Sequence, residues 1–326
     1  MSLKNKSILV TGGAGFIGSH LVDGLISQEP ERITVVDNFF LGKRRNLEEA
    51  KKRFPALRIY DQDASVKEKV GKIIEKEGTE VVFNLAILPL PASLEKPSWV
   101  FTHNNDITLA FCELAREDAF DTLIHFSSSE AYGNSLSGPM DENHPLNGTT
   151  PYAASKAACD LLVYSYEQTF GIDASIIRPF NNYGPRQNEG SYAGVIPLTI
   201  KRIMNDEPPV IFGDGRQTRD YLYVTDTAEA AIKIYNSART RGRVLNIASG
   251  KEVRIDHLLQ LIAKLMGFKG RILHEPDRPA DVRRHIANVY LAEDLLEFKP
   301  TVGLEDGLRM TINWYKKILP SKDRGR

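Results

Sequence analysis

The chain has 326 residues, long enough for two lobes with separate cores, although one elaborated α/β unit also fits that length. Its 42 basic and 42 acidic residues cancel, which excludes a global polyanion-binding surface and leaves only a local basic pocket for a phosphorylated small molecule. Apolar residues at 42% and charged residues at 26% describe a globular protein, and no run of about 18 apolar residues marks a membrane span.

Short β-branched runs alternate with helical patterns through the first half. Strands are predicted over 7–11, 32–37, 57–61, 80–86, 122–127 and 173–178. Between them Ile17, Leu21, Leu25 and Ile26 recur at helical spacing, as do Val70, Ile73 and Ile74. Ile107, Phe111 and Leu114, then Ala157, Leu161 and Leu162, mark two more helices. This alternation predicts an α/β domain over 1–180, a doubly wound parallel sheet with helices on both faces. Beyond Pro179 the pattern changes, and 181–187 and 212–216 are turn-rich and polar. Helical patterns return over 255–266, around 290–296 and 304–315, with a short strand near 271–274 and a polar loop over 275–284. These pieces predict a smaller α+β lobe over 181–326, with a segment around 221–240 returning to the first domain.

Cys112 and Cys159 lie in helical stretches without CxxC or Cys/His ligand spacing, so both are expected to be buried thiols in a reducing cytoplasm. His103, His125 and His144 also lack ligand spacing, and no metal is expected. The first predicted strand begins at Ser7, so a secretory leader is not expected. Nothing in the chain matches a nucleic-acid-reading motif.

Gly12, Gly15 and Gly18 form G-x-x-G-x-x-G between a strand and an amphipathic helix. Such glycines give a tight turn, close approach of backbone to phosphate, and close helix–strand packing, with a pyrophosphate at the helix N-terminus beside Phe16 and Ile17. Asp37, followed by Asn38, closes the second strand about 20 residues on, where an acid binds ribose hydroxyls. Its carboxylate would repel a 2′-phosphate, which favours NAD over NADP. Asp63, after the third strand, suits the adenine amino group or a helix cap equally.

Tyr152 and Lys156, at i and i+4, project from one helix face, and Pro151 suits the first turn of that helix. A nearby ammonium favours the phenolate and brings a group of ordinary pKa about 10 toward use as a base. Ser127-Ser128-Ser129 follow an apolar strand, at the sheet end where substrates sit. A dinucleotide beside such a Tyr/Lys pair can move a hydride and a proton together.

Together these residues resemble the extended short-chain dehydrogenase/reductases, specifically the NAD-dependent nucleotide-sugar epimerase/dehydratase family. The matching pieces are TGGAGFIG over 11–18, Asp37-Asn38, NLA over 84–86, SSSEAYG over 127–133 and YAASK over 152–156. RPFNNYGPRQ over 178–187, FGDGRQTRDYLYVTD over 212–226 and RPADVRR over 278–284 extend the match along most of the chain. The resemblance implies a Rossmann-type sheet and tightly held NAD, with Ala64, Leu85, Ala86 and a structural asparagine, Asn104, added to the cofactor site. It makes Tyr152 the base at sugar O4, Lys156 its ribose-binding partner, and Ser128 the hydroxyl bonding O4, with Ser129 beside it. Arg219 and Arg278 match the arginines that clamp a sugar nucleotide's pyrophosphate. Asn181 matches a residue that bonds a phosphate or sugar oxygen, and Phe212 is placed to stack on the base or to serve as core. The partner is therefore a UDP-, GDP- or dTDP-linked sugar, and a homodimer through the helices beginning near Asn105 and Tyr152 is implied.

The reaction after C4 oxidation is set by fewer residues. Related 4,6-dehydratases carry Thr-Asp-Glu where this chain has Ser128-Ser129-Glu130, keeping the glutamate that takes the C5 proton and losing the aspartate. RPADVRR resembles the phosphate loop of the epimerases, and His285 falls where they limit sugar size, so an N-acetyl or carboxylate group is expected near it. The order of expectation is 4-epimerase, then 4,6- or 5,6-dehydratase, then decarboxylase; a non-catalytic NAD-binding scaffold would need none of Ser128, Tyr152 and Lys156. The run Ile87-Leu88-Pro89-Leu90-Pro91 departs from the family's more polar loop and marks an altered sugar pocket.

Overall fold

The computed structural model describes residues 1–190, 192–277 and 282–319. The first half runs β1 (Ser7–Thr11), α1 (Phe16–Ile26), β2 (Arg32–Asp37), α2 (Glu48–Arg53), β3 (Leu57–Asp61), α3 (Lys67–Glu77), β4 (Val81–Asn84), α4 (Leu90–Glu95), α5 (Pro97–Arg116), β5 (Thr122–Phe126), α6 (Pro151–Phe170) and β6 (Ala174–Pro179). The second continues β7 (Asn181–Tyr183), α7 (Val195–Met204), β8 (Val210–Phe212), β9 (Thr218–Tyr223), α8 (Val224–Asn236), β10 (Val244–Ile247), β11 (Glu252–Arg254) and α9 (Ile255–Met266). It ends with β12 (Leu273–Glu275), β13 (Arg284–His285), α10 (Tyr290–Leu296) and α11 (Leu304–Ile318).

Seven strands form one parallel sheet in the order β10-β6-β5-β4-β1-β2-β3. The central strands β1, β4 and β5 are buried along their whole length and are mostly apolar on both faces, whereas edge strand β3 is only partly covered and carries exposed Arg58 and Asp61. The strand order reverses between β1 and β4. Their C-terminal ends therefore open a crevice at that switch point.

Chain segments beyond β6 complete this sheet. Helix α8 lays Ala228, Ala231 and Ile232 against the core shared with Leu21 and Leu25 of α1, and α10 adds Ala292 and Leu296. Strand β10 pairs with β6 from Val244 to Ile247. That seventh strand lies beyond the predicted 221–240 segment, because four residues give too little periodicity to read.

A second unit gathers β7, β9, β11 and β13 into one small sheet and β8 with β12 into another. Ile196 and Ile200 of α7, Leu258 and Ile262 of α9, and Leu308 and Ile312 of α11 form its separate core. No helix among the described residues is long and apolar enough to cross a membrane.

Candidate active site

The crevice is a cavity of about 560 Å³. The turn after β1 forms one end. Gly12 sits at φ +63°, and a Cβ there would meet the Ala86 backbone at 3.1 Å. A Cβ on Gly18 would lie 2.3 Å from the Gly12 carbonyl, so glycine alone lets α1 start this close to the turn. Gly15 caps α1 without a side-chain hydrogen bond, and the first turn carries no acid. The unsatisfied N–H groups of that turn suit a pyrophosphate.

Thr11 shapes the opposite lip. Its hydroxyl accepts from the Leu85 and Ala86 N–H groups at 2.9 and 3.0 Å and donates to Asn84 Oδ1 at 2.8 Å. These bonds draw Leu85 and Ala86 out of the sheet, ending β4 two residues earlier than the predicted 80–86. Asp37 accepts from Ala14 N at 2.9 Å and Phe39 N at 2.8 Å while lining the cavity. Burial pushes its pKa up, and the two backbone N–H groups oppose that rise. Asn38 lines the same end and turns its Oδ1 to Phe40 N. Asp63 accepts from Ser65 N and Oγ at 2.9 and 2.8 Å, so it caps the turn into α3 while also lining the cavity with Ala64. The phosphate-ready helix end and the acid at the tip of β2 fit a dinucleotide with an unmodified ribose.

At the other end stand Ser128, Ser129 and Glu130, with Tyr152 and Lys156. Thr150 caps α6 by accepting from Ala153 N, and Pro151 occupies its first turn, fixing Tyr152 at the helix start. The chain after β5 turns as a 3₁₀ helix over Ser129–Tyr132, so all three residues 128–130 reach the cavity. The Tyr152 hydroxyl is hydrogen-bonded with Ser128. Burial raises the Tyr152 pKa; the Ser128 bond opposes this and the Glu130 charge adds to it.

The Lys156 ammonium donates to the Phe126 carbonyl at 2.6 Å. Burial lowers the lysine's own pKa.

Other expected site residues stand back from the cavity. Asn104 is 2% exposed and clamps Leu88, accepting from its N–H at 2.7 Å and donating to its carbonyl at 3.2 Å. It shapes the wall and is not part of the lining. His285 is fully buried and donates from Nε2 to the Ser129 carbonyl at 3.0 Å, with Phe180 packed on its ring. It supports the 128–130 turn from behind and is not part of the cavity lining. Phe212 on β8 and Arg219 on β9 also lie outside the cavity lining. Arg219 donates to the Val282 carbonyl at 2.5 Å. Asn181 does line the cavity, with its amide on the Asp220 carbonyl at 3.3 Å. Arg278 lies outside the described residues.

A buried network supports this end of the cavity. Arg178 pairs with Asp160 at 2.7 Å and donates to the Tyr132 hydroxyl at 2.7 Å, which donates in turn to Asn246 at 2.8 Å. It ties α6, β6 and β10 to the 3₁₀ turn. No group of three or more His, Cys, Asp or Glu among the described residues is arranged to hold a metal ion. Cys112 and Cys159 are buried, free thiols.

Residues 8–248 match the model of the NAD dependent epimerase/dehydratase family. A UDP-N-acetylglucosamine 4-epimerase from Methanobrevibacter ruminantium, solved with UDP-N-acetylmuramic acid, is 35% identical with a TM-score of 0.89, covering 96% of this chain and 99% of that one. A dTDP-glucose 4,6-dehydratase from Streptomyces venezuelae, solved with NAD, is 28% identical with a TM-score of 0.90 over 96% and 97%. A UDP-N-acetyl-alpha-D-glucosaminuronate decarboxylase from Bacillus cytotoxicus is 33% identical over 96% of this chain and 98% of its own length. From its glycine turn to its Tyr152/Lys156 helix, the chain belongs to the NAD-dependent epimerase/dehydratase family.

Proposed function

We propose that the chain is a nucleotide-sugar 4-epimerase acting by transient oxidation at sugar C4. The observation that carries this reading is the meeting of Ser128, Tyr152 and Lys156 with the dinucleotide cradle in a single cavity. The first turn of α1, Asp37 and Asp63 would hold the cofactor's pyrophosphate, ribose and adenine. NAD, when bound, supplies a reversible hydride acceptor. Tyr152 takes the proton from the C4 hydroxyl and gives it back, and Ser128 holds the same oxygen. Lys156 keeps a cation at the floor of the site. Removing one such proton-transfer group costs about 10²- to 10⁴-fold in rate.

A dehydratase is the second reading, favoured by Glu130, which lines the cavity and acts by charge on Tyr152. In that case Glu130 takes the C5 proton and water leaves from C6. Asn181, Arg219 and Arg278 are proposed to receive the nucleotide diphosphate, with Phe212 beside its base. A homodimer through α5 and α6 is supported by apolar side chains left in the open: Leu109 is 42% exposed, Leu161 60% and Tyr164 55%. Two free thiols suit a reducing cytoplasm.

The test is mass spectrometry and proton NMR on the protein incubated with UDP-, GDP- and dTDP-sugars. An unchanged mass with inverted C4 supports the epimerase, and turnover kept by Glu130→Gln confirms glutamate as a bystander. Loss of water, abolished in Glu130→Gln with NAD binding intact, supports the dehydratase. Loss of carbon dioxide contradicts both.

A further inference from the structure

The wall of the cavity nearest Tyr152 is apolar, and its 88–91 segment is tied to the fold behind it. Ile87, Leu90 and Tyr192 pack onto a small cluster that contains Leu88, Ala92, Val100 and Tyr152 itself. Ile87, Leu90 and Tyr192 are half-buried and line the cavity. Three constraints hold the wall in place. Asn104 clamps both backbone groups of Leu88. Pro89 caps α4 in extended backbone, and Pro91 fills its first turn. Residues this fixed present a preformed surface, and a preformed apolar surface beside reacting atoms discriminates by what it cannot solvate.

The charges around the cavity point the same way. Its described lining contains three lysines and arginines, Lys43, Lys156 and Arg186. Lys43 pairs with Glu189, Arg186 pairs with Asp23 at 2.7 Å, and Lys156 donates to the Phe126 carbonyl. Glu130 meanwhile places a carboxylate beside the Tyr152 hydroxyl. A sugar carboxylate held against this wall would therefore face apolar carbon and share the cavity with the Glu130 carboxylate, while the Lys156 ammonium is already engaged by the Phe126 carbonyl. An uncharged substituent ending in a methyl group, an N-acyl or a 6-deoxy group, would instead remove apolar surface from water on both sides.

We infer that the Ile87/Leu90/Tyr192 wall selects uncharged sugars carrying a methyl-bearing substituent and rejects hexuronates. This deepens the proposed function and rests on its placing of the sugar beside Tyr152. A methyl in a fitted apolar pocket is worth about tenfold in selectivity. A carboxylate left without a partner against the same wall loses more, about a hundredfold. Leu90→Arg puts a cation on the wall and reverses the charge preference. Leu90→Ser removes the apolar contact and adds a hydroxyl, which narrows the gap between acylated and plain hexoses.

Binding and turnover keep the two claims separable. Titration calorimetry on NAD-loaded Tyr152→Phe protein leaves each ligand intact. The panel is UDP-linked N-acetylglucosamine, 6-deoxyglucose, glucose and glucuronic acid, all on one nucleotide. The expected result is binding of one methyl-bearing sugar about tenfold tighter than glucose and about a hundredfold tighter than glucuronic acid; which one leads identifies the substituent. In Leu90→Arg, glucuronic acid gains at least about tenfold. Glucuronic acid binding as tightly as the methyl-bearing sugars overturns the inference, as does the absence of binding by every sugar. Selective binding without turnover by the unaltered protein would instead overturn the proposed reaction and leave the wall's selectivity standing.

Discussion

The two ends of the cavity are built from different materials. The cofactor end is made of backbone: a glycine at φ +63°, a bare helix terminus, and an acid held by two N–H groups. The end proposed for the sugar is made of side chains, with one apolar wall beside a phenol, a hydroxyl and a carboxylate. Backbone architecture tolerates few residue types, so it leaves a spacing in the sequence. Side-chain architecture tolerates many, so its chemistry varies while the fold stays the same. That difference explains how relatives of similar fold include an epimerase, a dehydratase and a decarboxylase.

The contrast can be broken at either end. The largest effect belongs to Tyr152→Phe, which removes the proton carrier and leaves the wall's packing intact. Turnover should fall about 10³-fold while NAD content stays unchanged, read by stopped assays and by cofactor extraction. At the backbone end, Gly18→Ala drives a Cβ to 2.3 Å from the Gly12 carbonyl. The required shift costs about 3 kcal/mol, and NAD affinity should drop about a hundredfold with the fold retained by circular dichroism.

Asn104→Ala tests whether the wall is held from behind. It leaves the Leu88 backbone unsatisfied, costing about 1–3 kcal/mol of thermal stability. Sugar affinity should weaken more than NAD affinity, which a role in cofactor contact would reverse. The smallest effect is a pH dependence carried by His285. Burial lowers its pKa to about 4 from an ordinary 6.5. Its folded-state pKa lies below the unfolded one, so its contribution is complete above 6.5 and is lost as pH falls toward 4. At pH 5.5 the loss is about 1 kcal/mol, and His285→Asn should flatten that part of a denaturation-versus-pH curve.

Much of the fold was readable because its strands are continuous apolar runs. β1, β2 and β3 take the predicted bounds, as do α9 and α10. β4 stops short for a reason no periodicity carries, since the N–H groups of Leu85 and Ala86 go to the Thr11 hydroxyl and not to a neighbouring strand. A threonine ending the strand before the glycine turn was the available signal. β10 is four residues that become a strand only by lying along β6.

In the site, the glycine turn and Asp37 leave a spacing in the sequence, whereas the partners of His285 and Asn104 leave none. His285 and Asn104 sit where expected along the chain, but one supports Ser129 and the other clamps Leu88. Both are second-row supports whose orientation depends on partners far away in sequence. The partner of Lys156 was hidden for a similar reason. Helical spacing places Tyr152 and Lys156 on one face, but the Phe126 carbonyl decides where the ammonium goes.

The most direct test of the central claim is the fate of deuterium at sugar C4. A 4-deuterated nucleotide sugar with an uncharged, methyl-bearing substituent is incubated with the NAD-loaded protein in ordinary water and followed by NMR. The expected result is inversion at C4 with deuterium kept on that carbon and none released to solvent or free NADH. Deuterium lost to water, or carried away on released NADH, would contradict it.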